Sequence, residues 1–286
     1  MVSSNGTTLL QRIEMHATLP DCAPTLGADS AEVADEPVVT TLWAKLPKTD
    51  VGPSPEEQVY EPADDTFMLL DALHQDRELL CSPGLDARVC MEIGCGSGVV
   101  ITYLAMMLGA RTVCIGGDIN ERAIQATRRT ASLNGVLGKL EVVLSDLVSA
   151  CAPKSLDILV FNPPYVVSPD EEIGGCDRFG KISAAWAGGA RGRLVIDRLI
   201  GVVAGVMAPG GLFYMVLEEQ NVPAEVVALL RAEGLTGEET IRRTVDHEEA
   251  PEQLYVYRFR KAGHAAPELL PQPEPEPDPD PDPEHA

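Results

Sequence analysis

Short apolar runs recur through the middle of the chain and predict the strands of a sheet. Five runs have the length of buried strands: Arg88–Gly94, Arg111–Asp118, Leu140–Ser145, Leu156–Asn162 and Gly211–Leu217. Two more, Glu239–Val245 and Gln253–Phe259, follow each other with only residues 246–251 between them. Because no full helix fits in that gap, we expect the last two strands to form a hairpin.

Stretches with helical periodicity fill the other intervals. One helix is predicted before the first strand and four between later strands: Ala63–Leu80, Val99–Leu108, Glu121–Leu133, Leu194–Met207 and Pro223–Glu233. Strands that alternate with helices are typical of right-handed crossovers between parallel strands. The pattern therefore predicts an α/β, Rossmann-like fold, with a seven-stranded, mostly parallel sheet, helices on both faces and one antiparallel strand near the C-terminal end.

The two ends of the chain have a different composition from the middle. Residues 1–57 mix Ser, Thr, Pro, Gly and acids with little periodicity, and residues 271–283 alternate Pro with Gln, Glu or Asp. Such a Pro-rich segment favours extended polyproline II structure and cannot form a hydrogen-bond ladder. We therefore expect one domain at residues 58–262, between a disordered N-terminal extension (1–57) and a disordered acidic, Pro-rich tail (263–286).

The net charge argues against a nucleic-acid partner. The chain has 286 residues, with 22 Lys and Arg against 44 Asp and Glu, a net charge of −22. Proteins that hold DNA or RNA by its phosphates usually carry the opposite balance. Six of these negative charges lie in residues 1–58 and seven in 266–286, which leaves −9 for the predicted domain.

The cysteines and the hydropathy indicate the compartment. Seven scattered cysteines, an odd number with no CxxC pair, predict neither a disulfide framework nor a metal site in this chain. No apolar run approaches the roughly 18 residues that span a bilayer, and no signal or transit segment is evident. We expect a protein of the cytoplasm, and also of the nucleus, with reduced thiols.

A glycine-rich loop follows the first predicted strand. Residues 91–99 read MEIGCGSGV, and their glycines allow a backbone to approach a ligand closely and then enter a helix. The loop departs from the GxGxxG of dinucleotide sites and lacks the Gly-Lys-Ser/Thr of a phosphate-binding loop. By itself it is also compatible with a plain strand–helix turn.

Acidic residues near the ends of three successive strands sharpen this interpretation. Asp118, at the end of the second strand, is placed to accept hydrogen bonds from both ribose hydroxyls of a nucleoside. Asp146, after the third strand, is placed to accept from an adenine amine, and the N–H of Leu147 to reach a ring nitrogen. With Glu92 near the end of the first strand, these acids suit an adenosine that carries an amino-acid head, and they repel a polyphosphate. The set predicts S-adenosyl-L-methionine as cofactor.

The fourth predicted strand runs into Asn162-Pro163-Pro164-Tyr165. An amide or aromatic amine is a poor nucleophile because its lone pair is delocalised. The side-chain oxygen of Asn162 and the carbonyl of Pro163 can each accept a hydrogen bond from such an NH₂ group and aim its lone pair at a methyl donor. The prolines restrict φ, and Tyr165 can stack on the planar group. A strand-ending turn without chemistry is the simpler alternative.

Six segments occur in order over about Val59 to Phe259: VYEPADDTF (59–67), EIGCGSG (92–98), DIN (118–120), NPPYVV (162–167), AWAGG (185–189) and GLFY (211–214). Together they resemble one family, the eukaryotic HemK-like class-1 release factor glutamine methyltransferases. The NPPY tetrapeptide is shared with DNA amino-methyltransferases. The first segment and the AWAGG loop are more specific, whereas the two ends have no counterpart in the family core.

The resemblance implies a class I methyltransferase fold and roles for individual positions. Thr66 contacts the carboxylate end of the cofactor, and Glu92 and Gly94 its amino-acid portion. Asp118 contacts the ribose, and Asp146 and Leu147 the adenine.

For the reaction, the resemblance implies that Asn162 touches both the cofactor and the substrate amide, which makes Asn162, Pro163 and Tyr165 catalytic and Pro164 part of the substrate site. The implied reaction methylates the glutamine of the GGQ motif in the class-1 release factor of translation termination. The family also implies a heterodimer with a small zinc-binding activator subunit, which adds a strand to the sheet edge and covers apolar surface.

Alternatives remain open at the level of the sequence. A DNA adenine or cytosine amino-methyltransferase would use the same tetrapeptide, but it needs a basic duplex-binding surface. A protein lysine or small-molecule methyltransferase gains less from an amide clamp, and a non-catalytic scaffold does not need the cofactor loop. Trp186, with Arg191 and Arg193 nearby, is either part of the substrate cleft or an anchor of its loop.

Overall fold

The computed structural model of the protein describes residues 46–49, 59–169, 185–246 and 251–263. In these residues seven strands alternate with helices along the chain, as the apolar pattern predicts. The strands are β1 (Val89–Ile93), β2 (Val113–Asp118), β3 (Leu140–Leu144), β4 (Leu156–Phe161), β5 (Met207–Glu218), β6 (Leu235–Val245) and β7 (Glu252–Lys261). The α-helices are α1 (Asp64–Gln75), α2 (Arg77–Leu80), α3 (Val99–Met107), α4 (Glu121–Leu133), α5 (Leu194–Val206) and α6 (Pro223–Ala232).

The strands form one sheet in the order β3-β2-β1-β4-β5-β7-β6. Strands β1 to β5 pair in parallel, and β7 pairs antiparallel with both β5 and β6. The predicted single antiparallel strand is therefore confirmed. It lies one position inside the edge of the sheet, and β6 forms the edge itself.

The order reverses between β1 and β4, and this reversal places helices on both faces. Right-handed crossovers from β1 outward put α3 and α4 on one face, where α3 also contacts α1. Crossovers in the other direction put α5 and α6, which contact each other, on the opposite face. One continuous apolar core fills the space between the helices and the sheet.

The same reversal opens a crevice beyond the carboxyl ends of β1 and β4, where open α/β sheets bind ligands. Ile93 pairs with Phe161 in the register of these two strands. The loop after β1 and the loop after β4 therefore leave the sheet side by side. These are the glycine-rich loop and the Asn-Pro-Pro-Tyr segment.

Three predicted elements differ from their predicted bounds by more than two residues, and one of them is β6, which begins four residues before the predicted Glu239. The predicted helix Ala63–Leu80 is interrupted at Asp76, whose carboxylate accepts a hydrogen bond from Tyr214 at 2.7 Å and forms an ion pair with Arg258 at 2.6 Å. These contacts come from β5 and β7, so no local signal announces the break. Strand β5 begins four residues before the predicted Gly211 and carries an irregularity where it pairs with β4.

Most of both terminal segments lies outside the described residues, so the predicted domain limits stay predictions. Within the N-terminal segment, residues 46–49 lie against the domain. The backbone N–H of Lys48 donates to Asn134 Oδ1 at 2.9 Å, and Asn134 Nδ2 donates back to the Lys48 carbonyl at 2.7 Å. Of the helices described, none has the length and apolar character needed to cross a membrane.

Candidate functional site

A cavity of about 260 Å³ lies in the crevice beyond β1 and β4. It is bounded by the start of α1, the glycine-rich loop, the ends of β2 to β4 and the segment around Trp186. All the site residues predicted from the sequence line it: Thr66, Glu92, Gly94, Asp118, Asp146, Leu147, Asn162, Pro163, Pro164 and Tyr165. Predicted site residues as far apart in sequence as Thr66 and Tyr165 thus meet in one place.

The glycine-rich loop is shaped by the close approach of α4. Gly98 has φ +79°, and a Cβ at this position would lie 2.6 Å from the Cα of Thr127. The hydroxyl of Thr130 donates to the Ser97 carbonyl at 2.7 Å, so α4 also holds the loop by a hydrogen bond. The third glycine of the motif is therefore required for helix packing, while the loop backbone at Gly94 stays exposed to the cavity.

Glu92 caps the helix that follows the loop. Its Oε2 accepts a hydrogen bond from the backbone N–H of Ile101 at 2.9 Å, within the first turn of α3. The N-cap residue Gly98 has no side chain to supply this acceptor. Glu92 is buried, and burial raises the pKa of its carboxyl well above the ordinary range, with the charge of Asp118 adding to the effect. It also borders the cavity, and its contact with the amino-acid part of a cofactor stays a prediction.

Asp118 ends β2 and turns its carboxylate back to the glycine-rich loop. Oδ2 accepts from the Gly96 N–H at 3.1 Å, and Oδ1 accepts from the Asn120 N–H at 2.8 Å. Burial raises the pKa of this carboxyl, and the backbone hydrogen bonds oppose that shift. The carboxylate is thereby fixed at the cavity wall with acceptor capacity left for a ligand.

Asp146 forms an ion pair that no sequence pattern predicts. Its Oδ2 lies 2.6 Å from the guanidinium of Arg198 on α5, and both side chains are about half exposed. Leu147 follows with φ +50°, a left-handed conformation that is uncommon for a residue with a Cβ. Arg198 also lines the cavity, so a cation borders the position predicted for adenine.

Asn162 is oriented by a carboxylate at the start of α1. Its Nδ2 donates to Asp65 Oδ2 at 2.9 Å, and the hydroxyl of Tyr165 donates to the same oxygen at 3.3 Å. Asp65 is only 4% exposed. The other amide atom, Asn162 Oδ1, is buried and has no hydrogen-bond partner in the described structure, and Asn162 is one of the residues that line the cavity. An unsatisfied buried acceptor of this kind costs free energy and is usually explained by a missing ligand or water.

The segment after β4 is held from behind by a second loop. Gly192 has φ +65°, and a Cβ there would lie 1.7 Å from the Tyr165 carbonyl oxygen. A Cβ on Gly188 would lie 2.4 Å from the carbonyl oxygen of Pro164. The loop also pairs with the segment through Val166, whose N–H donates to the Trp186 carbonyl at 3.0 Å. The two glycines thus allow this loop to contact the Asn-Pro-Pro-Tyr backbone directly.

The residues of that loop divide between two roles. Trp186 is partly buried and lines the cavity, in agreement with a place in the cleft. Arg191 and Arg193 both form ion pairs with Glu225 of α6, at 2.7 and 2.9 Å. Arg193 pairs with Asp197 as well and is buried. The two guanidiniums are therefore engaged in fastening the loop to α6.

Three residues at or behind the site were missed by sequence reasoning: Asp65, Arg198 and Asn221. Asp65 precedes the predicted Thr66 in a segment with two consecutive acids, and nothing local separates the buried Asp65 from the exposed Asp64. Arg198 and Asn221 lie 36 and 59 residues beyond Asn162. Their contacts depend on how α5 and β5 return to the sheet, which no local pattern encodes.

The cavity offers hydrogen-bond acceptors at defined positions. Its described wall carries four acidic side chains (Asp65, Glu92, Asp118 and Asp146) and the unpartnered amide oxygen of Asn162, with Arg198 ion-paired to Asp146. Among the described residues of this wall Cys95 is the one thiol, and burial raises its pKa, so the thiolate is disfavoured. The arrangement suits an uncharged or cationic ligand with several donors, and it holds an NH₂ group better than it activates a nucleophile of the protein.

Comparison with known proteins gives a family and close relatives. Residues 65–184 match the family described as "Methyltransferase small domain". The chain is 40% identical to human "Methyltransferase HEMK2" over 215 residues, which cover 74% of this chain and 94% of that protein. It is 34% identical over 201 residues to the fission yeast "eRF1 methyltransferase catalytic subunit mtq2", covering 67% and 86%.

Among solved structures, a similar one is that of the Encephalitozoon cuniculi Mtq2–Trm112 complex, described as methylating the termination factor eRF1. Its matching chain is 28% identical, with a TM-score of 0.53, and the match covers 72% of this chain and 99% of that one.

Proposed function

The chain belongs to the methyltransferase family of HEMK2 and Mtq2, and on this basis we propose that it transfers a methyl group from S-adenosylmethionine to the side-chain amide nitrogen of a glutamine. The substrate proposed is the GGQ motif of the class-1 translation release factor. The single observation that carries this proposal is the buried, unpartnered Oδ1 of Asn162 at the cavity.

The residues present fit the cofactor. Asp118 retains acceptor capacity for ribose hydroxyls, and Asp146 with the N–H of Leu147 accommodates the adenine edge. Thr66, Glu92 and the exposed backbone at Gly94 border the part of the cavity left for the methionine moiety. When bound, S-adenosylmethionine supplies an electrophilic methyl group. The acidic wall also suits the positive charges that this molecule carries on its sulfur and amino group.

The substrate amide is held by Asn162 and Pro163. Two acceptors, Asn162 Oδ1 and the Pro163 carbonyl, take the two hydrogens of a glutamine NH₂ group and draw its lone pair out of conjugation. Tyr165, whose hydroxyl is bound to Asp65, offers a ring against which the planar amide packs. The acceptors stabilise the positive charge that develops on nitrogen, so no side chain with a lowered pKa is needed as a base.

A DNA amino-methyltransferase is the alternative that shares the tetrapeptide. The electrostatics disfavour it, because the predicted domain carries a net charge of −9 and the wall of the cavity is mainly acidic. A lysine methyltransferase would need the substrate amine deprotonated, and it would gain little from the clamp, because the lone pair of an amine is not delocalised.

The edge strand β3 is the site proposed for a small activator subunit. The other edge, β6, carries a row of charges that includes Arg242 and Glu239, which form an ion pair at 2.8 Å. Charged edges of this kind oppose strand addition. Beside β3, by contrast, apolar side chains are exposed: Leu144 at 53%, with Leu133 and Leu137 in the segment that leads into the strand. A partner like the Trm112 of the similar complex is expected to cover this edge and to carry the zinc itself.

The proposal is tested by assaying the chain together with its activator subunit and labelled S-adenosylmethionine. The substrates are the release factor, the same factor with the GGQ glutamine replaced by alanine, and duplex DNA. We expect label only on the unaltered release factor, and none with Asn162→Ala. Label on DNA but not on the release factor would overturn the proposal.

A further inference from the structure

Asp65 is the centre of a group of hydrogen bonds at the start of α1. Besides Asn162 Nδ2 and the Tyr165 hydroxyl, its Oδ2 accepts from the hydroxyl of Tyr60 at 3.3 Å. Its Oδ1 accepts from Thr66 twice, from the backbone N–H at 2.6 Å and from Oγ1 at 3.1 Å. The carboxylate is buried and receives five donors.

These donors use up what a carboxylate can accept. The two oxygens of an ionised carboxylate offer about four lone-pair sites. With five donors around it, Asp65 has no acceptor capacity left for a substrate or a cofactor, although it borders the cavity. Its influence on the reaction must therefore pass through the groups that it holds.

We propose that Asp65 is the positioning residue that fixes the orientation of the Asn162 amide. The inference rests on the function proposed above. A carboxylate 2.9 Å from one end of the amide accepts only from NH₂, because an oxygen in that place would be repelled. Asp65 thereby forces Nδ2 toward α1 and leaves Oδ1 toward the cavity, where the substrate NH₂ needs an acceptor.

Without this restraint the amide can turn by 180° about its last torsion. The NH₂ of Asn162 then faces the NH₂ of the substrate, and two donors oppose each other. Since no atom moves far and the acids predicted to contact the cofactor (Glu92, Asp118 and Asp146) are unchanged, we expect binding of S-adenosylmethionine to be preserved. The effect therefore appears as a lower rate of methyl transfer.

The variant Asp65→Asn tests this orientation with almost no change of shape. The fixed backbone N–H of Thr66 retains the oxygen of the new amide, so its NH₂ faces Asn162. Asn162 then turns its own oxygen toward the new NH₂ group at position 65, and its own NH₂ group faces the cavity. We expect kcat for glutamine methylation to fall about tenfold to a hundredfold. The Kd for S-adenosylmethionine, measured by calorimetry, should stay within about twofold of the wild-type value, because the lost interaction acts on the substrate amide only.

A second variant on the same background distinguishes orientation from general damage. In Asp65→Asn/Asn162→Asp the carboxylate at position 162 accepts from the new amide with one oxygen and presents the other to the substrate. We expect this double variant to recover part of the kcat that Asp65→Asn loses. If Asp65 had a purely structural role, the decrease in kcat of the double variant would be the product of the decreases in the two single variants.

Asp64→Asn is the matched control, because it removes the same charge from the same helical turn at an exposed side chain. It should keep the kcat of the wild type. An unchanged kcat in Asp65→Asn would overturn the inference. A double variant whose kcat is no higher than the value obtained by multiplying the two single losses would overturn it as well. A wild-type enzyme that places no label on the release factor glutamine would instead overturn the proposed function, and the inference with it.

If Asp65→Asn does not fold, a crystal structure of the wild-type complex tests the positioning role instead. In a crystal structure with S-adenosylhomocysteine and a GGQ peptide, we expect one amide atom of Asn162 on Asp65 and the other within hydrogen-bond distance of the glutamine nitrogen. An Asn162 side chain turned away from Asp65 in that complex would refute the positioning role.

Discussion

The side chain of Asn221 donates a hydrogen bond to the main-chain carbonyl of Tyr165 at 2.9 Å. The same Nδ2 donates to the Arg191 carbonyl at 3.0 Å, and Oδ1 accepts from the Glu218 N–H at 2.8 Å. Asn221 is fully buried just beyond the end of β5. It therefore joins three backbone segments and supports the Asn-Pro-Pro-Tyr loop from the side opposite to the cavity.

Replacing Asn221 with alanine should destabilise the fold and slow transfer. The change removes the hydrogen bonds to the carbonyls of Tyr165 and Arg191 and from the N–H of Glu218, two of them buried, and we expect a loss of about 2–4 kcal/mol in the free energy of unfolding. Urea denaturation measures it. Gln125→Ala, on the exposed side of α4, removes a similar amide and should change stability by less than about 0.5 kcal/mol. Equal unfolding midpoints for the two variants would contradict the bridging role.

Gly192→Ala should be among the most damaging single changes in the chain. Its φ of +65° disfavours a Cβ, and the added atom would overlap the Tyr165 carbonyl. We expect a loss of at least about 2 kcal/mol with reduced transfer, because the tetrapeptide must shift. Gly201→Ala is the control: it lies within α5 with open space around it, and it should stabilise the protein by up to about 1 kcal/mol. If thermal denaturation shows both variants alike, the close approach at Gly192 has no energetic consequence.

The buried cap at Glu92 predicts a pH dependence in the absence of cofactor. Because burial raises the folded-state pKa, the folded protein binds more protons than the unfolded chain from the unfolded pKa, about 4.3, up to the raised value. Stability from this group therefore falls as the pH rises through that window. In Glu92→Gln the amide oxygen can still accept from Ile101, and the dependence should flatten. Denaturation from pH 5 to 8 gives the free energy of unfolding of both proteins at each pH. The same dependence on pH in both proteins would show that ionisation of Glu92 does not reduce the stability.

Asp118→Ala should weaken binding of S-adenosylmethionine. The change removes the ribose acceptor and also the bonds that hold the N–H groups of Gly96 and Asn120. We expect a loss of about 1.5 kcal/mol or more, at least about tenfold in Kd. Isothermal titration calorimetry provides the measurement, with Glu121→Ala, an exposed acid of α4, as a control that retains affinity. An unaltered Kd for Asp118→Ala would remove it from the ribose site.

Leu144→Lys should weaken assembly with the activator subunit. A charge in place of this exposed leucine at the end of β3 adds a desolvation cost to any partner that covers the edge. We expect a fall of at least about tenfold in affinity for the subunit, measured by co-purification and biolayer interferometry. Leu229→Lys alters a similarly exposed leucine on α6 and should bind normally. Loss of binding in the α6 variant alone would place the partner on the other side of the molecule.

Much of the fold follows from local pattern. The bounds of α4 agree with the prediction at both ends, and β1 to β4 agree within about two residues, because apolar periodicity and turn residues are set by neighbours in sequence. The break at Asp76 and the early start of β5 were not foreseen. Both depend on pairing between strands that are distant in the chain.

By itself, the sequence determined the alternation of strands and helices, the position of the glycine-rich loop and the four residues that follow β4. These features depend on short-range spacing, and the carboxyl ends of parallel strands necessarily meet along one edge of the sheet. Only the tertiary structure decided that Asp65 turns the Asn162 amide, that Glu92 caps α3 and that Asn221 supports Tyr165. Each of these contacts joins backbone segments whose relative placement is fixed by packing across the sheet, and a hydrogen bond depends on distances of tenths of an ångström that no linear pattern contains.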